Sequence, residues 1–210
     1  MPQVITYAPA IDSQQINDSG MKKLIENVSS VSSLWSKTEG GFTFASPSLL
    51  FPSLHGAKDG DLIILYGHGS KTNNSLFNYE GEAIVANAKW NAAAALPEIM
   101  ERDGLGRGGK YLFAFCVCYA GLQKSPDHLT PPPHTGSFCE AFRDAAEKAD
   151  RFKGSVIWGP TGVAYREINF LLWMDYEDKH AKKQSYGLAG LKSDRRDDLF
   201  WDDRYQILKI

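Results

Sequence analysis

An α/β fold built on a mostly parallel sheet is predicted by three observations. Two continuous apolar runs, Leu62–Tyr66 and Tyr111–Val117, read as strands covered on both faces, since half-exposed strands would alternate apolar and polar residues. The chain between them has room for a crossover helix. Strand-like and helix-like stretches also alternate along the sequence, the order that yields helices packed on a parallel sheet.

The first strand is expected at Val4–Tyr7. Met21, Leu24, Ile25, Val28, Val31 and Trp35 then recur at helical spacing behind the caps Asp18 and Ser19. A minor strand at Phe42–Phe44 leads into a connection containing Pro47 and Pro52. The turn Asp59-Gly60-Asp61 introduces the run Leu62–Tyr66, and residues 71–82 read as a polar loop. Trp90–Met100 has helical composition, with Pro97 expected near the helix start or at a kink. The glycine-rich turn 104–109 precedes Tyr111–Val117; without GxxxxGK[ST] order it is no phosphate loop.

Residues 123–136, with four prolines and Gly136, form a loop long enough to be functional or processed. Ser137 and Glu140 match a capping box that opens a helix carrying Phe138, Ala141, Phe142, Ala145 and Ala149 on one side, with Gly154 as its terminator. Ser155–Trp158 is a third strand, Glu167 to about Lys183 reads as a helix, and the chain ends in a mixture of Arg, Asp, Phe200 and Trp201.

Composition limits the function. The 210 residues fit a single domain spanning 1–210, with enough apolar and aromatic content for a real core. Twenty-three basic and 25 acidic residues are interspersed, so nucleic-acid and membrane partners have no electrostatic basis. No apolar run approaches a membrane span, and the opening residues lack the pattern of a classical signal peptide. Cys116, Cys118 and Cys139 are an odd number with no second CxxC pair, which argues against a disulfide framework and a structural zinc site. A cytoplasmic protein, or one delivered as an effector, is expected.

Chemistry in a parallel sheet collects beyond the carboxyl ends of the strands. Tyr66-Gly67-His68-Gly69-Ser70 directly follows the first apolar run, and Cys118-Tyr119-Ala120-Gly121 follows the second. If the two strands are neighbours, an imidazole faces a thiol. A free thiol is only slightly ionised at neutral pH, and an adjacent imidazole can supply or stabilise the thiolate. The amides of Gly69 and Cys118 are placed to receive an oxyanion. This arrangement suits acyl transfer and requires no metal or organic cofactor.

LIILYGHGS and YLFAFCVCYAG resemble the two core blocks of the caspase-like (clan CD) cysteine peptidases, which include caspases, legumains, gingipains, clostripains and self-processing domains of bacterial toxins. The 50 residues separating His68 from Cys118 agree with a caspase-type spacing. The resemblance implies a three-layer sandwich with a central sheet flanked by helices. It further implies a Cys118–His68 dyad and a cysteine endopeptidase acting on protein or peptide substrates. The caspase pattern Gln-Ala-Cys-x-Gly is absent, so cleavage after aspartate is not implied; Cys-x-x-Gly is closer to legumains and gingipains. Substrate-binding residues and oligomeric state are left unassigned.

The competing reading of each residue is a packing role. Cys118 alone could be a buried strand cysteine, and Cys116, two residues deeper on the same strand, is better explained that way. Cys139 opens a helix and is assigned to packing. His55 follows a loop instead of an apolar strand, His128 and His134 fall in the proline-rich loop, and His180 lies among charges. Two other functions fit parts of the sequence: a non-catalytic caspase-fold interaction module, and a glutamine amidotransferase of class I, whose downstream His-x-Glu pattern His180-Ala181-Lys182 does not match.

Overall fold

The computed structural model describes residues 3–7, 9, 43–44, 54–77, 83–85, 88–123, 136–162, 174–177, 183–186, 200–201 and 205–210. Its strands are β1 (Gln3–Tyr7), β2 (Thr43–Phe44), β3 (Leu62–Gly67), β4 (Leu112–Val117), β5 (Val156–Pro160), β6 (Met174–Glu177), β7 (Lys183–Tyr186), β8 (Phe200–Trp201) and β9 (Tyr205–Lys209). The described helices are α1 (Ala92–Arg102), between β3 and β4, and α2 (Phe138–Lys148), between β4 and β5. Seven strands form one sheet in the order β2-β1-β3-β4-β5-β9-β8, and β6 and β7 pair separately. Strands β2, β1, β3, β4 and β5 are mutually parallel, while β9 and β8 join antiparallel. The mostly parallel α/β sheet expected from the sequence is therefore present. No helix among the described residues is long and apolar enough to cross a membrane.

The apolar runs become central strands because both of their faces are buried. Ile63, Leu65, Phe113, Phe115, Val117 and Ile157 meet one core with Leu96 and Met100 of α1 and Phe138, Phe142 and Ala146 of α2. The intervening residues Leu62, Ile64, Ala114, Cys116, Val156 and Trp158 are buried as well. Aromatic rings set the shape of the first core: Phe142 lies 5.1 Å from both Phe113 and Phe115, edge-on to each. Edge-to-face geometry adds about 0.5–1.5 kcal/mol per pair to the gain from burial. The two helices pack side by side on this face.

The helices narrow one expectation and correct another. Pro97 is the sixth residue of α1, so of its two expected placements the helix start is excluded, and it removes the hydrogen bond that its N–H would have donated to Ala93. The capping box at Ser137 and Glu140 forms as expected, but α2 ends at Ala149 instead of running to Gly154. Asp150 takes a left-handed conformation (φ 52°), and the N–H groups of Asp150 and Arg151 donate to the carbonyls of Glu147 and Ala146. That is a Schellman closure in which aspartate occupies the position glycine usually fills. Gly154, also left-handed, instead turns the chain into β5, and its N–H donates to the Ile210 carbonyl at 2.7 Å.

The helix expected over Glu167–Lys183 is replaced, where the chain is described, by β6 paired antiparallel with β7; Glu177 stands opposite Lys183 and Met174 opposite Tyr186. Met-Asp-Tyr-Glu also carries a period of two, and across so short a run pairing decides the structure. Strand β9, which the sequence reading left within an unassigned end, pairs along the whole of β5. The expected helix from Met21 to Trp35, His128, His134, His180 and most of the 123–136 loop lie outside the described residues.

Candidate active site

The β3 and β4 strands are neighbours in parallel register, ending with Gly67 opposite Val117. His68 and Cys118 each come one residue later, so both leave the same edge of the sheet on adjacent strands. The strand order reverses between β1 and β3, where crevices open at the carboxyl ends of such sheets. The loop after β3 borders that crevice.

Steric demand explains the Gly-His-Gly sequence. A Cβ on Gly67 would overlap the Leu76 side chain, and one on Gly69 would overlap the Cys118 carbonyl oxygen and come within 2.8 Å of Val117 Cγ1. The missing side chains let segment 76–77 close over β3 and let the backbone after His68 lie against the backbone of Cys118. His68 is further fixed by a two-way bridge: its N–H donates to Phe77 O at 2.8 Å, and the Phe77 N–H donates to His68 O at 2.9 Å. His68 remains accessible from solvent, yet partial burial of its imidazole holds its pKa below the ordinary histidine value. A neutral ring can accept a proton.

Cys118 is half-buried at the start of a tight turn, whereas Cys116 is buried inside β4, opposite Tyr66 in register. Directly after Cys118, Tyr119 adopts φ 60°, a left-handed conformation that costs a non-glycine residue roughly 1–2 kcal/mol. The amides that follow are spent on the turn itself and on the chain at the end of β5: Tyr119 N–H donates to Gly162 O at 2.7 Å, Ala120 N–H to Val117 O at 3.2 Å, and Gly121 N–H to Pro160 O at 2.7 Å. The Gly69 N–H, in contrast, has no acceptor among the described residues.

The turn is anchored from below by α2. Cys139 N–H donates to Ala120 O at 3.0 Å, and the Cys139 thiol is fully buried against Gly159, in keeping with a packing role. Gln206 of β9 meets Ser137 and, at 3.1 Å, Glu140, while Gln123 Nε2 donates to Glu140 at 2.7 Å. Sequence reasoning missed Gln206, and no local signal could have found it, since its partners lie 66 and 69 residues away.

His55 sits far from this edge. Its ring packs on Gly104 at the α1–β4 connection, beside Leu54, whose N–H donates to Asp103 O at 2.8 Å. A cleft of about 860 Å³ lies between the helices, bordered by Asn74, Asn91, Glu98 and Lys148, but neither His68 nor Cys118 lines it. The structure thus brings the His68-Gly69 and Cys118 segments together at one sheet edge, buries Cys116 and Cys139, and places His55 at the α1–β4 connection. No protein-family model matches the sequence, and a search of the curated proteins finds no match.

Proposed function

We propose that this chain is a cysteine endopeptidase with a caspase-like three-layer architecture, in which Cys118 is the nucleophile and His68 the proton shuttle. The observation that carries this reading is the meeting of the Gly67-His68-Gly69 and Cys118-Tyr119 segments at the ends of two adjacent parallel strands. His68 takes the thiol proton of Cys118, and the resulting thiolate attacks the peptide carbonyl carbon, forming a C–S bond as the carbonyl π electrons move to oxygen. The resulting oxyanion accepts hydrogen bonds from the amides of Gly69 and Cys118. His68 gives a proton to the departing amine as the C–N bond breaks, leaving a thioester. Water then attacks the thioester while His68 takes its proton, and collapse of the second intermediate releases the acid and regenerates the thiolate. The chemistry uses this chain's own groups throughout.

The test is cleavage of a mixed peptide library together with labelling by an electrophilic peptide ketone. Discrete cleavage products and a single adduct on Cys118 are expected. Neither products nor adduct would reject the peptidase in favour of an interaction module, and glutamine hydrolysis without peptide cleavage would favour the amidotransferase.

A further inference from the structure

We infer that Lys71 is a positioning residue which, through the ring of Tyr119, clasps the two loops of the site and holds Cys118 in register with His68; this rests on the dyad reading above. Lys71 lies three residues after His68, and Tyr119 immediately follows Cys118. The Lys71 ammonium stands 4.9 Å from the centre of the Tyr119 ring, within cation–π range. One side-chain contact therefore spans the two segments whose backbones meet at Gly69 and Cys118.

The contact falls where the backbone needs support. Tyr119 holds its left-handed conformation at a cost, and the bonds from its N–H to Gly162 O and from the Leu122 N–H to its carbonyl restrain its backbone. The Lys71 contact adds a hold on the ring of that residue. Lys71 is itself presented from a built turn: Thr72 N–H donates to Ser70 Oγ at 3.1 Å, and Ser75 N–H donates to Asn73 Oδ1 at 3.0 Å. Asn73, Asn74 and Ser75 are buried. An exposed lysine on a mobile loop would gain little from a ring. Here a cation on a fixed turn faces a ring on a strained one, so the contact transmits position.

The experiment measures iodoacetamide alkylation of Cys118 across pH, followed by mass mapping, in the full chain. The variants are Lys71→Met, Lys71→Arg, Tyr119→Leu, Tyr119→Phe and the Lys71→Met/Tyr119→Leu pair. Loss of either partner is expected to slow Cys118 modification near neutral pH roughly two- to fivefold, the size of an exposed cation–π contact, and to move its midpoint to higher pH. Lys71→Arg and Tyr119→Phe should restore wild-type behaviour, and the double variant should be no slower than the worse single variant. In peptide turnover, kcat should fall by the same factor with KM unchanged. Unchanged or faster alkylation, additive losses, or no rescue by arginine would overturn the clasp. His68→Ala separates the two readings: an unaltered Cys118 pH profile in that variant sinks the dyad, while non-additive Lys71 and Tyr119 effects on the same thiol would still support the clasp.

Discussion

Gly69 and Cys118 meet backbone to backbone: a methyl group on the glycine would overlap the carbonyl oxygen of the cysteine. Neither residue can shift without the other, because His68 is bridged to Phe77 on one side and the turn after Cys118 is bonded to Pro160 and Gly162 on the other. Gly69→Ala must therefore displace the Cys118 turn. It should lower peptide turnover by about 10²-fold, the order expected for a displacement near 1 Å. It should also destabilise the fold by about 1–3 kcal/mol through overpacking. Wild-type turnover in Gly69→Ala would show that the two loops do not act as one site.

The two strand cysteines should separate cleanly. Cys118→Ala is expected to abolish turnover while leaving the thermal melt intact, because its side chain is half-buried at a turn. Cys116→Ala is expected to keep most of the activity and to lose stability, since the buried site offers packing and no access. Turnover assays alongside melts of both variants decide it, and equal activity losses would count against Cys118 as sole nucleophile.

His68→Ala should stay folded and lose turnover by roughly 10²–10⁴-fold, with His55→Ala near wild type. Because burial lowers the His68 pKa, the acid limb of kcat/KM should fall below the ordinary imidazole range. The same shift has a stability consequence. As pH falls through that range the unfolded chain takes up the proton first, so His68 adds a loss of stability toward acid that His68→Ala lacks. Rates and melts measured over one pH series test both statements.

Phe142 touches Phe113 and Phe115 across the interface between sheet and helix, and it is fully buried. Phe142→Ala should cost about 3–5 kcal/mol in denaturant unfolding, and Phe142→Leu clearly less. A cost under 1 kcal/mol would mean that α2 is not held through this ring.

Tyr7 donates its hydroxyl proton to Asp103 Oδ2 at 2.7 Å, and burial, reinforced by that carboxylate, raises the phenol's pKa well above its ordinary value. Tyr7→Phe removes a donor from a mostly buried carboxylate and should destabilise the fold by about 1–3 kcal/mol. It should leave turnover unchanged, because the pair ties β1 to the far end of α1. Loss of activity at unchanged stability would contradict that assignment.

Locally encoded features were legible from the residues themselves. The runs Leu62–Tyr66 and Tyr111–Val117 announce strands buried on both faces, Ser137 and Glu140 announce a helix start, and His68 and Cys118 follow directly on those strands. Each of these depends on side chains a few positions apart. Tertiary structure alone decided what depends on distant partners. It made β3 and β4 adjacent, set Gly67 beside Leu76 and Gly69 against Cys118, and laid Lys71 over Tyr119. It also made Met174–Glu177 a strand by giving it Lys183–Tyr186 to pair with, and recruited Tyr205–Lys209 to the edge of β5. Short polar segments carry weak local preferences, so the hydrogen bonds available from neighbours determine their form. The left-handed turn at Tyr119 follows the same logic: tyrosine does not demand that conformation, and the Gly162 carbonyl that accepts from its N–H is 43 residues away in the chain.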